Sequence, residues 1–239
     1  MKYFTLGPLP GRYYADALRD RKRSVMERPG GSPCVACGRS PAGVRFGPPH
    51  YMELLEVKRF GDYLAVYGNA DFGASERFLD VCNEEGIRGL EIVHPPVVVT
   101  RVGTRGRREG GHPVYHLVEI AREGADLDDE GSEITRSEVV CSRCRAGPID
   151  GYQRIVLKPG SECGLDIFYA LGLPGDILVS EKFVDVCLRH RISNTYFTPC
   201  EVARYWWSTG KDIFKDPLGV VIPVDPRSAR VRKRARGEA

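Results

Sequence analysis

SERFLDVC at 75–82 and SEKFVDVC at 180–187 are nearly the same eight residues written twice. Asp71 stands four positions before the first copy and Asp176 four before the second, and Ile87 and Ile192 follow at matching distances. A second doubling lies upstream, where Cys34-Val-Ala-Cys37 precedes the first copy much as Cys141-Ser-Arg-Cys144 precedes the second. The offset changes only from 107 to 105 residues, which one loop can absorb, so the pattern reads as an internal repeat.

Each octapeptide reads as the start of a helix. Ser75 and Ser180 suit an N-cap, where the hydroxyl accepts from a free backbone N–H of the first turn. Glu76 and Glu181 then fall where a negative charge suits the helix dipole. Phe78, Val81 and Cys82 make one apolar stripe at helical spacing, and Phe183, Val186 and Cys187 make its twin, so both stripes are expected in the core. Asp71 and Asp176 are expected to order the turns before these helices.

After each helix comes a turn and an apolar run ending near proline, GIRGLEIVHPPVVV at 86–99 and RISNTYFTPCEV at 191–202, each read as a strand. Upstream, residues 51–68 and 151–170 also read as strands joined by Gly turns, although the run from Met52 to Val57 also fits a helical turn. The expectation is an α+β chain of two repeated halves, each a C-x-x-C knuckle, antiparallel strands and one main helix. The first half spans 1–100, with its knuckle at 34–37 and its helix from about 75. The second spans 101–225, with its knuckle at 141–144 and its helix from about 180. A basic tail, expected to be disordered, occupies 226–239.

The formal net charge of +3 invites a nucleic-acid reading, but the tail alone holds five Arg, one Lys and one Glu. The rest of the chain is slightly acidic, so the basic character is segregated. Between the halves, TRVGTRGRREGGHP at 100–113 and REGADLDDEGSE at 122–133 flank strand-like VYHLVEI and are expected to be exposed loops or hairpin arms. No apolar run reaches the roughly 20 residues needed to cross a bilayer, and MKYFTLGPLPGRYY is not patterned as a signal peptide. The expected location is cytoplasmic, with reduced thiols and no membrane partner.

The chain has eight cysteines. Cys82 and Cys187 belong to the helix stripes, and Cys163 and Cys200 lack counterparts and are expected to be packing residues. Cys34, Cys37, Cys141 and Cys144 remain. Two C-x-x-C turns suit a tetrahedral Zn²⁺, but more than 100 residues separate the pairs, against about 15–20 in an ordinary zinc ribbon. The repeat supplies a reason, because halves packed about a pseudo-twofold axis would bring equivalent knuckles together around one structural ion. Two separate half-sites and a redox dithiol are the alternatives. Gly38 suits a knuckle that needs positive φ, whereas Arg145 holds the equivalent place in the second turn and should strain or alter it by roughly 1 kcal/mol.

Four thiolates leave no open position for a catalytic water, and His112, His116 and His190 lack ligand spacing. No nucleophile elbow, phosphate loop or H-E-x-x-H run occurs, so no enzyme is expected. With CVACG at 34–38 and CSRCRAG at 141–147, the chain resembles the myxobacterial double-CXXCG motif proteins. The resemblance covers most of the chain, including both D-x-x-x-S-E-[KR]-F-x-D-V-C segments, and departs at Arg145. It implies an immunity protein that neutralises a cognate swarming-inhibition toxin encoded nearby. For such a partner the acidic stretch, with Asp126, Asp128, Asp129 and Glu130, is the candidate contact, since opposite potentials speed encounter. The competing reading is a zinc-stapled nucleic-acid binder that uses the RVRKRAR tail together with Tyr205, Trp206 and Trp207.

Overall fold

A computed structural model describes residues 2–8, 16–20, 23, 26–29, 34–38, 44–55, 59–67, 72–103, 111–138, 141–145, 147–173, 175–206 and 222–223. Asp71, Trp207 and the basic run 226–239 lie outside the described residues.

The strands of the first segment are β1 (Tyr3–Gly7), β2 (Asp16–Arg19), β3 (Met26–Pro29), β4 (Val44–Phe46), β5 (Tyr51–Leu55), β6 (Tyr63–Tyr67) and β7 (Phe72–Ser75). Helix α1 (Glu76–Glu84) follows, then β8 (Leu90–Pro96) and β9 (Val98–Val102). The rest of the chain forms β10 (Tyr115–Asp126), β11 (Thr135–Arg136), β12 (Ile149–Tyr152), β13 (Ile167–Leu171), β14 (Ile177–Ser180) and helix α2 (Glu181–Arg189). It closes with β15 (Tyr196–Pro199), β16 (Tyr205–Trp206) and β17 (Ile222–Pro223). Among the described residues the protein is thus mostly strands with two α-helices, of α+β type. The run from Met52 resolves as strand β5, not as a helical turn.

Both helices begin as their sequences dictate. Ser75 Oγ accepts from Phe78 N–H and Ser180 Oγ from Phe183 N–H, each at 3.2 Å. Each hydroxyl then donates at 2.9 Å to a buried carboxylate, Asp62 for Ser75 and Asp166 for Ser180. The residues that order the helix starts are therefore Asp62 and Asp166. Asp176 instead accepts from the Tyr152 hydroxyl at 3.0 Å, and burial pushes its carboxyl pKa up.

Twelve strands form one large sheet in the order β17-β15-β1-β14-β13-β10-β7-β6-β2-β5-β9, with β8 also on β10. The pairing crosses the chain. β1 lies antiparallel between β14 and β15, with Tyr3 opposite Ser180 and Leu6 opposite Phe197. β10 lies antiparallel to β7 and β8, with Tyr115 opposite Ser75 and Val118 opposite Val93. Each helix is thus flanked by two strands that pair with one common strand, β10 for α1 and β1 for α2.

The helix tips are also tied across the chain. Asp62 Oδ2 accepts from Ser193 N–H at 2.8 Å and from Arg77 at 2.7 Å, and Arg77 reaches on to the His190 carbonyl. Asp166 Oδ2 accepts from Arg88 N–H at 3.0 Å and from Lys182 at 3.4 Å, and Lys182 donates to the Gly86 carbonyl at 2.8 Å. Charge-assisted hydrogen bonds of this kind tie a cation of each helix to a carbonyl at or just beyond the C-cap of the other.

The main core sits between the helices and the sheet. Phe78 and Phe183, both fully buried, meet at 6.2 Å between ring centroids, with Phe72 and Phe197 packed behind them. A second cluster gathers Leu127, Ile155, Phe168 and Leu173, and a third gathers Met52, Leu54, Leu64 and Leu117. Two smaller sheets, β11-β12-β16 and β3-β4, complete the described structure. Tyr205 stacks on Tyr152 at 5.8 Å and is half-buried.

Candidate metal centre

Each C-x-x-C segment curls into a turn closed by backbone hydrogen bonds. Gly38 N–H donates to the Cys34 carbonyl at 2.7 Å, and Arg145 N–H to the Cys141 carbonyl at 2.8 Å. Both closing residues have positive φ, +69° at Gly38 and +50° at Arg145. The second turn therefore keeps the shape of the first, and Arg145 accepts the left-handed conformation that costs a residue with a Cβ about 1 kcal/mol.

The two turns face one another. Cys34 Sγ lies 4.0 Å from Cys141 Sγ, Cys37 Sγ lies 3.7 Å from Cys144 Sγ, and all four sulfurs fall within 4.8 Å of each other. Sulfurs bound at about 2.3 Å around a tetrahedral ion stand about 3.8 Å apart, so the cluster fits a single metal ion. Among the described residues it is the only such ligand group.

Local electrostatics favour the thiolate at Cys34 and Cys141 and the thiol at Cys82, Cys187 and Cys200. Backbone N–H groups of Cys144 and Arg143 pull the Cys141 thiol down to about 6, and those of Ala36 and Cys37 lower Cys34. Burial pushes Cys82 up to about 12 and raises Cys187 and Cys200 as well. Since the thiolate is the metal ligand, Cys34 and Cys141 are suited to bind while the core cysteines are not. Cys163 is exposed, not a packing residue as its sequence context suggested.

The side chain of Arg145 explains why an arginine can hold the strained position. Its guanidinium pairs with Asp126, bonds Asp129 at 3.2 Å, and donates to the carbonyls of Leu127 at 2.7 Å and Leu171 at 2.6 Å. Arg136 joins the cluster through Asp129 at 3.3 Å, the Gly172 carbonyl at 2.6 Å and the Arg145 carbonyl at 3.3 Å. Gly172, at φ +90°, makes room for it, because a Cβ there would stand 2.7 Å from Arg145 Nε. The second knuckle is thereby bolted to β10 and β13.

This corrects the reading of 122–133 as an exposed acidic arm. Arg122 to Asp126 continue strand β10, and Asp126 and Asp129 are half-buried in ion pairs, Asp126 also with Lys158 at 2.8 Å. Asp128 caps its own turn by accepting from Gly131 N–H at 3.0 Å, which leaves Glu130 as the exposed member of the set. Reversing Asp126 and Asp129 to Lys is therefore expected to lower stability by about 2 kcal/mol. Breaking a buried pair costs about 3–5 kcal/mol, and the figure is discounted because both carboxylates are about a third exposed. Chemical denaturation with metal bound checks this, and an unchanged midpoint would remove the bolt's structural role.

A second polar cluster gave no sequence signal. His94 Nε2 lies 2.6 Å from Glu119, the His94 and His50 rings meet edge-on at 4.5 Å, and buried Arg19 approaches His50 Nδ1 at 3.5 Å. Burial, then the neighbouring His94 and Arg19, hold His50 down to about 4 from its ordinary 6.5. Folded His50 stays neutral between these values while the unfolded chain takes up a proton. Stability is therefore expected to fall as pH drops from 6.5 toward 4, by about 3 kcal/mol. Denaturant midpoints across that range would show the slope, and His50→Gln should remove its share.

No family model matches the chain, and no curated protein matches it either. No helix is long and apolar enough to cross a membrane among the described residues.

Proposed function

We propose that this protein is a non-catalytic binding protein stapled by one structural zinc ion on Cys34, Cys37, Cys141 and Cys144, and that it serves in the cytoplasm as an immunity protein. The observation that carries this reading is the closed four-sulfur set. Four cysteines complete a tetrahedron and leave no ligand position for a catalytic water. Their clustering also supports a chain built as two copies of one unit, with knuckles meeting where the copies face each other. The reciprocal ties of Asp62 with Ser193 and of Asp166 with Arg88 support the same reading.

The resemblance of the paired motifs to the double-CXXCG family supplies the partner class, a swarming-inhibition toxin domain encoded beside this chain. Neutralisation would be stoichiometric, through an interface that need bury no more than about 800 Å² on each partner. Co-expression of the neighbouring toxin domain in a sensitive host is the test. Survival with this protein and death without it, together with a purified one-to-one complex, is the expected result. Equal killing in both cases, with no complex, would refute the reading.

A further inference from the structure

The knuckle sulfurs adjoin one another across the two turns. Cys34 Sγ meets Cys141 Sγ at 4.0 Å and Cys37 Sγ meets Cys144 Sγ at 3.7 Å, each contact spanning 107 residues of chain. Cys34, Cys37 and Cys141 are partly exposed, and Cys144 is buried. Each adjoining pair therefore holds at least one sulfur that a small solute can reach from water. Cys82, Cys187 and Cys200 are buried in the core, out of such reach.

From this we infer that the staple is convertible: hydrogen peroxide exchanges the metal ion for two disulfides, Cys34 to Cys141 and Cys37 to Cys144, and the fold survives the exchange. The choice of pairs decides the outcome. A disulfide within one C-x-x-C turn closes a ring of adjacent residues and leaves the knuckles unlinked. A disulfide between the turns ties together the same two points of the chain as a shared ion does. It also closes a loop spanning 107 residues, and a longer closed loop takes more freedom from the unfolded chain. The inference rests on the reading of one ion shared by four cysteines and adds what becomes of that staple under oxidation.

In the pair with the buried member, Cys37 meets the oxidant and Cys144 resolves it. The Cys37 thiolate attacks one peroxide oxygen and the O–O bond breaks, which leaves a sulfenic acid on Cys37 and a hydroxide that takes a proton from solvent. The Cys144 thiolate, 3.7 Å away, then attacks the Cys37 sulfur. The S–S bond forms, the S–O bond breaks, and a second hydroxide is protonated to water. Cys34 and Cys141, both partly exposed, react in the same way with either as the first sulfur. Four thiolates, two peroxides and four protons thus give two disulfides and four waters. With no thiolate left to hold it, Zn²⁺ departs with its charge unchanged.

The test uses the full-length, metal-loaded protein carrying Cys163→Ser, which removes the exposed thiol outside the knuckles. Hydrogen peroxide is added in steps, released zinc is read with a chromogenic chelator, and disulfides are mapped by mass spectrometry of unreduced peptides. Two peroxides consumed per Zn²⁺ released are expected, with Cys34 joined to Cys141 and Cys37 to Cys144. The oxidised, metal-free protein should keep a cooperative thermal transition by circular dichroism. Adding a reductant while the chelator is present should abolish that transition, because both staples are then gone. Disulfides within the turns, Cys34 to Cys37 and Cys141 to Cys144, would overturn the inference. So would correctly paired disulfides in a chain without a transition, or zinc retained with all four thiols unmodified in excess peroxide. Metal analysis before oxidation separates this from the reading beneath it: two ions per chain would refute the shared staple itself, whereas one ion followed by the wrong disulfides refutes only its conversion.

Discussion

Replacing Cys34 and Cys37 together by serine is expected to abolish metal binding and to unfold the protein at ambient temperature, including the segment that carries the untouched pair Cys141 and Cys144. The four sulfurs converge within 4.8 Å from turns 107 residues apart, so an ion held there would link parts of the chain that approach each other only in the folded state. Its binding free energy is then folding free energy, about 10–16 kcal/mol for structural zinc in small peptides at neutral pH. A domain's whole net stability is only about 5–15 kcal/mol. Metal analysis of the native protein should give one Zn²⁺ per chain, and circular dichroism of the double variant should show a lost transition. A chelator should act in the same direction. Two ions per chain, or half the metal kept by the double variant, would instead indicate separate half-sites.

Phe183→Ala is expected to destabilise the protein by about 3–5 kcal/mol, the cost of lost burial plus the cavity left behind. In a domain of this size that is a fall of roughly 10 °C in melting temperature. Phe183 is fully buried and lies between Phe78 at 6.2 Å and Phe197 at 6.3 Å, where helix and sheet close over the ring from both sides. Phe78→Ala should cost a similar amount. The two changes made together should cost less than their sum, because both rings border the same space and a single enlarged cavity can partly collapse. Urea denaturation of the three variants gives the coupling directly. A double variant whose loss equals the sum would place the rings in independent packing regions.

Helix starts and ligands were legible in the sequence for different reasons. A helix closes its hydrogen bonds within four residues, so Ser75 and Ser180, the acids after them and the apolar stripes carry its boundaries in one short window. The four ligands were legible because C-x-x-C is itself a local turn and because it occurs twice. Asp62 and Asp166 were not legible. Each lies more than ten residues before the serine it holds, and no periodicity marks a lone aspartate. Arg145 read as a misfit for the same reason, since the acids and carbonyls that make it useful lie on β10 and β13. The acidic stretch looked exposed because charge predicts solvent until a buried guanidinium is known to be opposite.

Sequence alone thus determined what neighbours along the chain can settle, namely two capped helices, two knuckles, and which faces are apolar. Tertiary structure decided that β1 enters between β14 and β15, that β10 pairs with β7 and β8, and that the knuckles face each other. It also decided that β15 is covered by β17 while β8 keeps an open edge among the described residues. Strand pairing, unlike a helix, is satisfied by any backbone of suitable twist and register. The choice between partners therefore falls to side chains brought together only when the whole core closes.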